Sequence, residues 1–117
     1  MTFLLHGKKF SKDIGDHIIK FIHEVHHNNI NIIFIKSFYE LLKKHITQNN
    51  NITIKTISSL EETKENIDFL ICFGGDGTIL NATTIVKNTE IPIVGINTGR
   101  LGFLATISKY DISNLMQ

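Results

Sequence analysis

Between residues 73 and 78 the chain reads Phe-Gly-Gly-Asp-Gly-Thr, three glycines around one carboxylate. Glycine lets a backbone take positive φ and lets phosphate oxygens reach N–H groups without a Cβ in the way. A carboxylate beside phosphates repels them unless it has a task. Two tasks suit Asp76: accepting the proton of an attacking hydroxyl, or helping to hold the Mg²⁺ that neutralises the phosphates. Both belong to phosphoryl transfer. The plain alternative is a turn in which Gly-Gly and Asp-Gly serve geometry alone.

A second stretch, Gly95-Ile-Asn-Thr-Gly-Arg-Leu-Gly-Phe-Leu-Ala105, again sets glycines directly after a short apolar run. Two such loops at the ends of two strands can line one crevice. Asn97 and Thr98 offer polar groups there and Phe103 an aromatic face. Arg100, the only arginine of the chain, offers a cation suited to phosphate. A solvated loop charge for Arg100 and core packing for Phe103 are the competing readings.

The elements that must position these loops follow from periodicity. Residues 2 to 6 form an apolar run ending at Gly7, a first strand. From Ser11 to His27, Ile14, Ile18, Phe21, Ile22 and Val25 recur at helical spacing. Ile30 to Ile35 is dense in β-branched residues, as a strand buried on both faces is. Ser37 is expected to cap a helix on which Phe38, Leu41 and Leu42 share a face. Gln48 to Asn51 is a polar break, and Asn51 to Ile57 alternates as a half-exposed edge strand does. Asp68 to Phe73 reads as a strand, Thr78 to about Asn88 as a helix with a strand still possible, and Pro92 to Ile96 as another buried strand. Asp111 to Gln117 has helical spacing. Strands alternating with helices predict an α/β fold, a Rossmann-like parallel sheet with helices on both faces. In such sheets ligands sit outside the carboxyl ends of strands, where both glycine loops fall.

Composition narrows the class. The chain has 117 residues, 42% apolar and 20% charged, with a net charge of +1. These values suit one soluble domain and give no electrostatic footprint for nucleic acid. No stretch approaches the roughly 20 apolar residues of a membrane span, and the N-terminus has no signal-peptide core, so a cytoplasmic location is expected. The single cysteine, Cys72, reads as a small buried hydrophobe. His23, His26 and His27 cluster on one helix without the further ligands of a zinc site. His6-Gly7-Lys8-Lys9 reads as a strand-end turn, with a place facing the same crevice as the alternative, and Glu61, Glu62 and Glu65 as a solvated loop or helix start.

Gly74-Gly75-Asp76-Gly77-Thr78 followed by Asn97-Thr98-Gly99-Arg100-Leu101-Gly102-Phe103-Leu104 resembles the N-terminal domain of the NAD kinases, over nearly the whole chain. The first motif is shared with lipid kinases and 6-phosphofructokinases; the second discriminates. The resemblance implies transfer of the ATP γ-phosphate to the 2′-hydroxyl of the adenosine ribose of NAD, giving NADP, with a divalent metal, Mg²⁺. It matches Asp76 to the general base, Gly74, Gly75 and Gly77 to phosphate-contacting glycines, and Phe103 to a residue lining the dinucleotide site. Thr78, Asn81 and Leu104 sit in or beside the motifs. NAD kinases work as homo-oligomers and are completed by a larger β-rich domain with an Asn-Glu pair and much of the NAD-binding surface. Residues 1–117 are therefore expected to be the N-terminal α/β domain alone, with little or no activity by itself. A lipid or sugar kinase of the same superfamily, or a non-catalytic nucleotide-binding remnant, remains the alternative.

Overall fold

The computed structural model describes residues 1–46 and 52–98. Five strands, β1 (Thr2–Gly7), β2 (Asn31–Ile35), β3 (Thr56–Ile57), β4 (Phe69–Gly74) and β5 (Ile93–Asn97), pair in parallel in the order β3-β2-β1-β4-β5. Three helices connect them: α1 (Lys12–His27), α2 (Lys36–Leu42) and α3 (Asp76–Val86). The predicted α/β class and the helical stripe hold: Ile14, Ile18, Phe21, Ile22 and Val25 are all buried.

Local chemistry sets the ends of α1. Ser11 Oγ accepts the N–H of Ile14 at 3.3 Å, and Asp13 lies in the first turn while His26 and His27 close the last. The chain leaves α1 through Asn29 at φ 61°, a left-handed conformation that asparagine tolerates better than most residues.

Two helices lie on one face of the sheet and the third on the other. Phe73 of β4 stacks on Phe38 of α2, with centroids 5.7 Å apart, and meets Phe21 of α1 edge-on at 5.4 Å. Its neighbour Cys72 points the opposite way, its S–H donating to the Thr78 carbonyl of α3 at 3.5 Å. Successive residues of a strand face opposite sides, so these contacts fix the sidedness.

Several expectations need correction. Helix α2 follows β2 without a break, with Ile35 at the cap position and no side-chain cap, so Ser37 lies inside the first turn. The edge strand expected over 51–57 shrinks to Thr56 and Ile57. Helix α3 begins at Asp76, two residues before the predicted start. Residues 92–96 were expected to be buried, but β5 is the last strand of the described sheet, with Ile93 and Val94 half-buried and Gly95 exposed. The polar break at 48–51 and the helix expected over 111–117 lie outside the described residues.

Candidate phosphate-binding site

In the order β3-β2-β1-β4-β5 the chain runs outward in two directions from β1 and β4, which makes their carboxyl ends the topological switch point, where open α/β sheets form a crevice. The first motif ends β4 and opens α3 at that point. The register pairs Gly7 with Phe73 and Gly74 with Asn97, so the end of β1 and Asn97, at the start of the second stretch, flank it on either side.

The three glycines answer to different demands. Gly74 sits at φ +156°, and a Cβ there would lie 2.5 Å from Thr78 Oγ1 and 2.7 Å from Thr78 Cβ. The turn itself requires this glycine. Gly75 and Gly77 have ordinary φ values, and a Cβ on either would meet nothing within 4 Å. No contact within the described fold explains them.

The same turn leaves donors open. Gly75 caps α3 without a side chain to accept the first-turn N–H groups, unlike Ser11 on α1. Its carbonyl takes the N–H of Thr78 and of Ile79, each at 3.1 Å. The N–H groups of Asp76 and Gly77 have no partner among the described residues. Unsatisfied N–H groups at the positive end of a helix attract anions. The Asp76 carboxylate is exposed on this turn, beside the same donors.

Thr78 behaves differently from its neighbours. Its side chain is buried under Gly74, so it shapes the turn from below. Asn97 is exposed beside Gly74, and Thr98 follows it half-buried. Arg100, Phe103 and Leu104 lie outside the described residues.

At His6 the expected strand-end turn gives way to its alternative, a residue facing the crevice side. His6 belongs to β1 and is only 4% exposed, not part of a turn. Its Nε2 lies 3.0 Å from Asn81 Oδ1 on α3. Burial holds its pKa below the ordinary imidazole value, opposed by the Asn81 bond and aided by the Lys8 cation. A titratable side chain interrupting a buried apolar run next to a glycine was the signal available. Cys72, as expected, is fully buried, and burial pushes its thiol up to about 11. His23, His26 and His27 are exposed, and no group of three or more His, Cys, Asp or Glu side chains that could hold a metal forms among the described residues.

The fold and chain both have close parallels. Yeast NADH kinase, solved in complex with NADH, superposes with a TM-score of 0.66 at 20% identity, covering 83% of this chain and 31% of that one. At that identity the likeness concerns the fold. The NAD kinase of Christiangramia forsetii is 37% identical over 115 residues, and that of Flavobacterium psychrophilum 35% identical over 117. These alignments cover 97% and 100% of this chain but 38% and 39% of the relatives, so the chain spans about two-fifths of their length. The family model for the ATP-NAD kinase N-terminal domain matches residues 9–117, and with these full-chain relatives it establishes that the chain belongs to that family.

Proposed function

We propose that the chain forms the phosphate-holding part of an NAD kinase, an ATP-dependent phosphotransferase acting on the 2′-hydroxyl of the adenosine ribose of NAD. The observation that supports it most is the pair Gly75 and Gly77, at which a Cβ would meet nothing within 4 Å, beside the N–H groups of Asp76 and Gly77, which have no partner among the described residues, and the exposed Asp76. Backbone donors free of a Cβ suit phosphate oxygens, and an exposed carboxylate on the same turn suits the hydroxyl that attacks them.

In this reading the N–H groups of Gly75, Asp76 and Gly77 hold phosphate oxygens of ATP. Asp76 takes the proton of the 2′-hydroxyl as that oxygen bonds to the γ-phosphorus. The bond between the γ-phosphorus and the bridging oxygen breaks, and ADP leaves with that oxygen. Gly74 and Thr78 shape the turn, Asn97 offers a polar group to the crevice, Arg100 is a phosphate contact suited by its guanidinium, and the family resemblance supports Phe103 as lining the dinucleotide site. Mg²⁺ would neutralise the phosphates; it commonly binds through one or two carboxylates together with substrate phosphate, so Asp76 beside the phosphates suits it without a cage of protein ligands. The family resemblance supports the remaining parts: a homo-oligomer, in the cytoplasm, whose further β-rich domain completes the NAD site. No helix among the described residues is long and apolar enough to cross a membrane.

The test is a panel of acceptors incubated with the full-length protein and labelled ATP. Label transferred to NAD at the 2′ position, with diacylglycerol, sphingosine and fructose 6-phosphate left unlabelled, is the expected result. Transfer to a lipid or sugar while NAD is ignored would replace this reading with the superfamily alternative, and no transfer at all would favour the binding remnant.

A further inference from the structure

The residues His6, Cys72 and Gly95 stand side by side on three adjacent strands, and each meets α3 within its first turns. Cys72 donates to the Thr78 carbonyl, and Gly95 leaves the space that Ile79 occupies, since a Cβ there would lie 2.6 Å from Ile79 Cδ1. A thiol is a weak donor, and a glycine offers only room. His6 adds a directional bond between side chains, reaching Asn81 from β1, a strand three crossovers away in the chain.

Asn81 Oδ1 only accepts, so His6 Nε2 carries the hydrogen. Nδ1 is buried and has no partner among the described residues. The bond to Asn81 is thus the ring's one hydrogen bond among the described residues.

We propose that His6 is a positioning residue, which through Asn81 fixes the first turns of α3, and with them the Asp76 carboxylate, against the carboxyl end of β1. The proposal rests on the reading of Asp76 as the base in phosphoryl transfer. Its kinetic consequence follows from what moves together. The N–H groups of Gly75 and Gly77 ride on α3 with Asp76, so a tilt of the helix takes bound phosphate along and changes its aim at an acceptor held elsewhere. Turnover falls while the affinity for ATP stays.

The experiment uses the full-length protein with His6→Phe, which fills the space without the donor, and Asn81→Leu, which removes the acceptor from the helix side. Each is expected to lower kcat about tenfold or more with the KM for ATP within about twofold, since a misplacement near 1 Å can cost roughly 10²-fold. The double variant falls no further than the worse single one, as members of one pair do. His6→Gln, whose amide can donate, recovers most of the loss. Hydrogen exchange speeds up at the amides of residues 75–81 in His6→Phe while α1 keeps its protection. Wild-type kcat in both single variants, losses that multiply in the double, or exchange that rises evenly along the domain would each overturn the proposal. If His6→Phe does not fold, Asn81→Leu decides by the same kinetic split. Absence of NAD phosphorylation by the wild-type protein would instead remove the kinase reading, and the exchange comparison of His6→Phe with His6→Gln would still decide the positioning.

Discussion

One step along β1 separates His6 from Gly7, and one step along β4 separates Cys72 from Phe73, yet the two sides of the sheet are built differently. On the side of α1 and α2, rings of Phe21, Phe38 and Phe73 fill the space, and Gly7 exists because a Cβ would lie 2.6 Å from Phe38 and 2.9 Å from the Phe73 carbonyl. On the side of α3, an imidazole, a thiol and a glycine meet the helix through weak or directional contacts. The helix ends differ as well: α1 is capped by its own Ser11, whereas α3 has no side-chain cap. Ala82 and Val86 of α3 are buried too, so both faces hold the fold, while the open donors and the exposed carboxylate lie on the α3 side alone.

Substitutions on the two sides should therefore fail in different ways. The largest effect is expected for Asp76→Ala in the full-length protein, a fall in kcat of about 10²–10⁴, typical of a positioned acid or base, with an unaltered denaturation midpoint. Steady-state kinetics beside urea denaturation separate the two readouts, and wild-type turnover would remove Asp76 from the mechanism. Phe73→Ala should do the reverse, destabilising the chain by about 3–5 kcal/mol through the cavity left between two helices. A loss below about 1 kcal/mol in denaturant unfolding would mean that the aromatic face does not hold the fold.

Gly74→Ala crosses the divide. It forces a side chain onto a φ of +156° and into Thr78, so a destabilisation of about 1–3 kcal/mol is expected even though the residue belongs to the phosphate loop. A thermally unchanged variant would show that the turn relaxes freely.

The smallest effect concerns pH. Burial disfavours the charged form of His6, so the unfolded chain takes up a proton that the folded chain resists. This contribution to stability is fully present above the ordinary imidazole value of 6.5 and is lost as pH falls below it, toward the depressed folded value. Lys8 adds to the depression, and the neighbouring Cys72 thiol stays neutral throughout this range. Denaturation midpoints measured at pH 7.5 and 5.5 should drop more for the wild-type chain than for His6→Gln, the other histidines cancelling in the difference. Equal drops would place the His6 imidazole in water.

Much of this division was legible in the sequence, and the exceptions have physical reasons. The stripe on α1 and the strands β1, β2 and β4 follow from periodicity and β-branched density, which report burial directly. The loop glycines marked the site but not their separate demands, because only the fold distinguishes Gly74, held by Thr78, from Gly75 and Gly77, held by nothing. The early start of α3 was hidden by Gly77, a poor helix former that is tolerated in an exposed first turn. Burial of β5 was overread because composition reports what a strand can bury, whereas its place in the strand order is a tertiary property. His6 was read as a turn residue because its partner lies 75 residues away, beyond any local pattern.

The most direct measurement is an isothermal titration of ATP into the full-length protein and its Gly75→Ala variant, paired with a denaturation curve for each. A methyl group at Gly75 meets nothing in the described fold but stands where phosphate oxygens would approach the first-turn N–H groups. The expected result is a loss in ATP affinity of about tenfold or more, as for one or two charge-assisted hydrogen bonds, with the denaturation midpoint unmoved. Unchanged ATP affinity in the variant would contradict the assignment of this turn to phosphate.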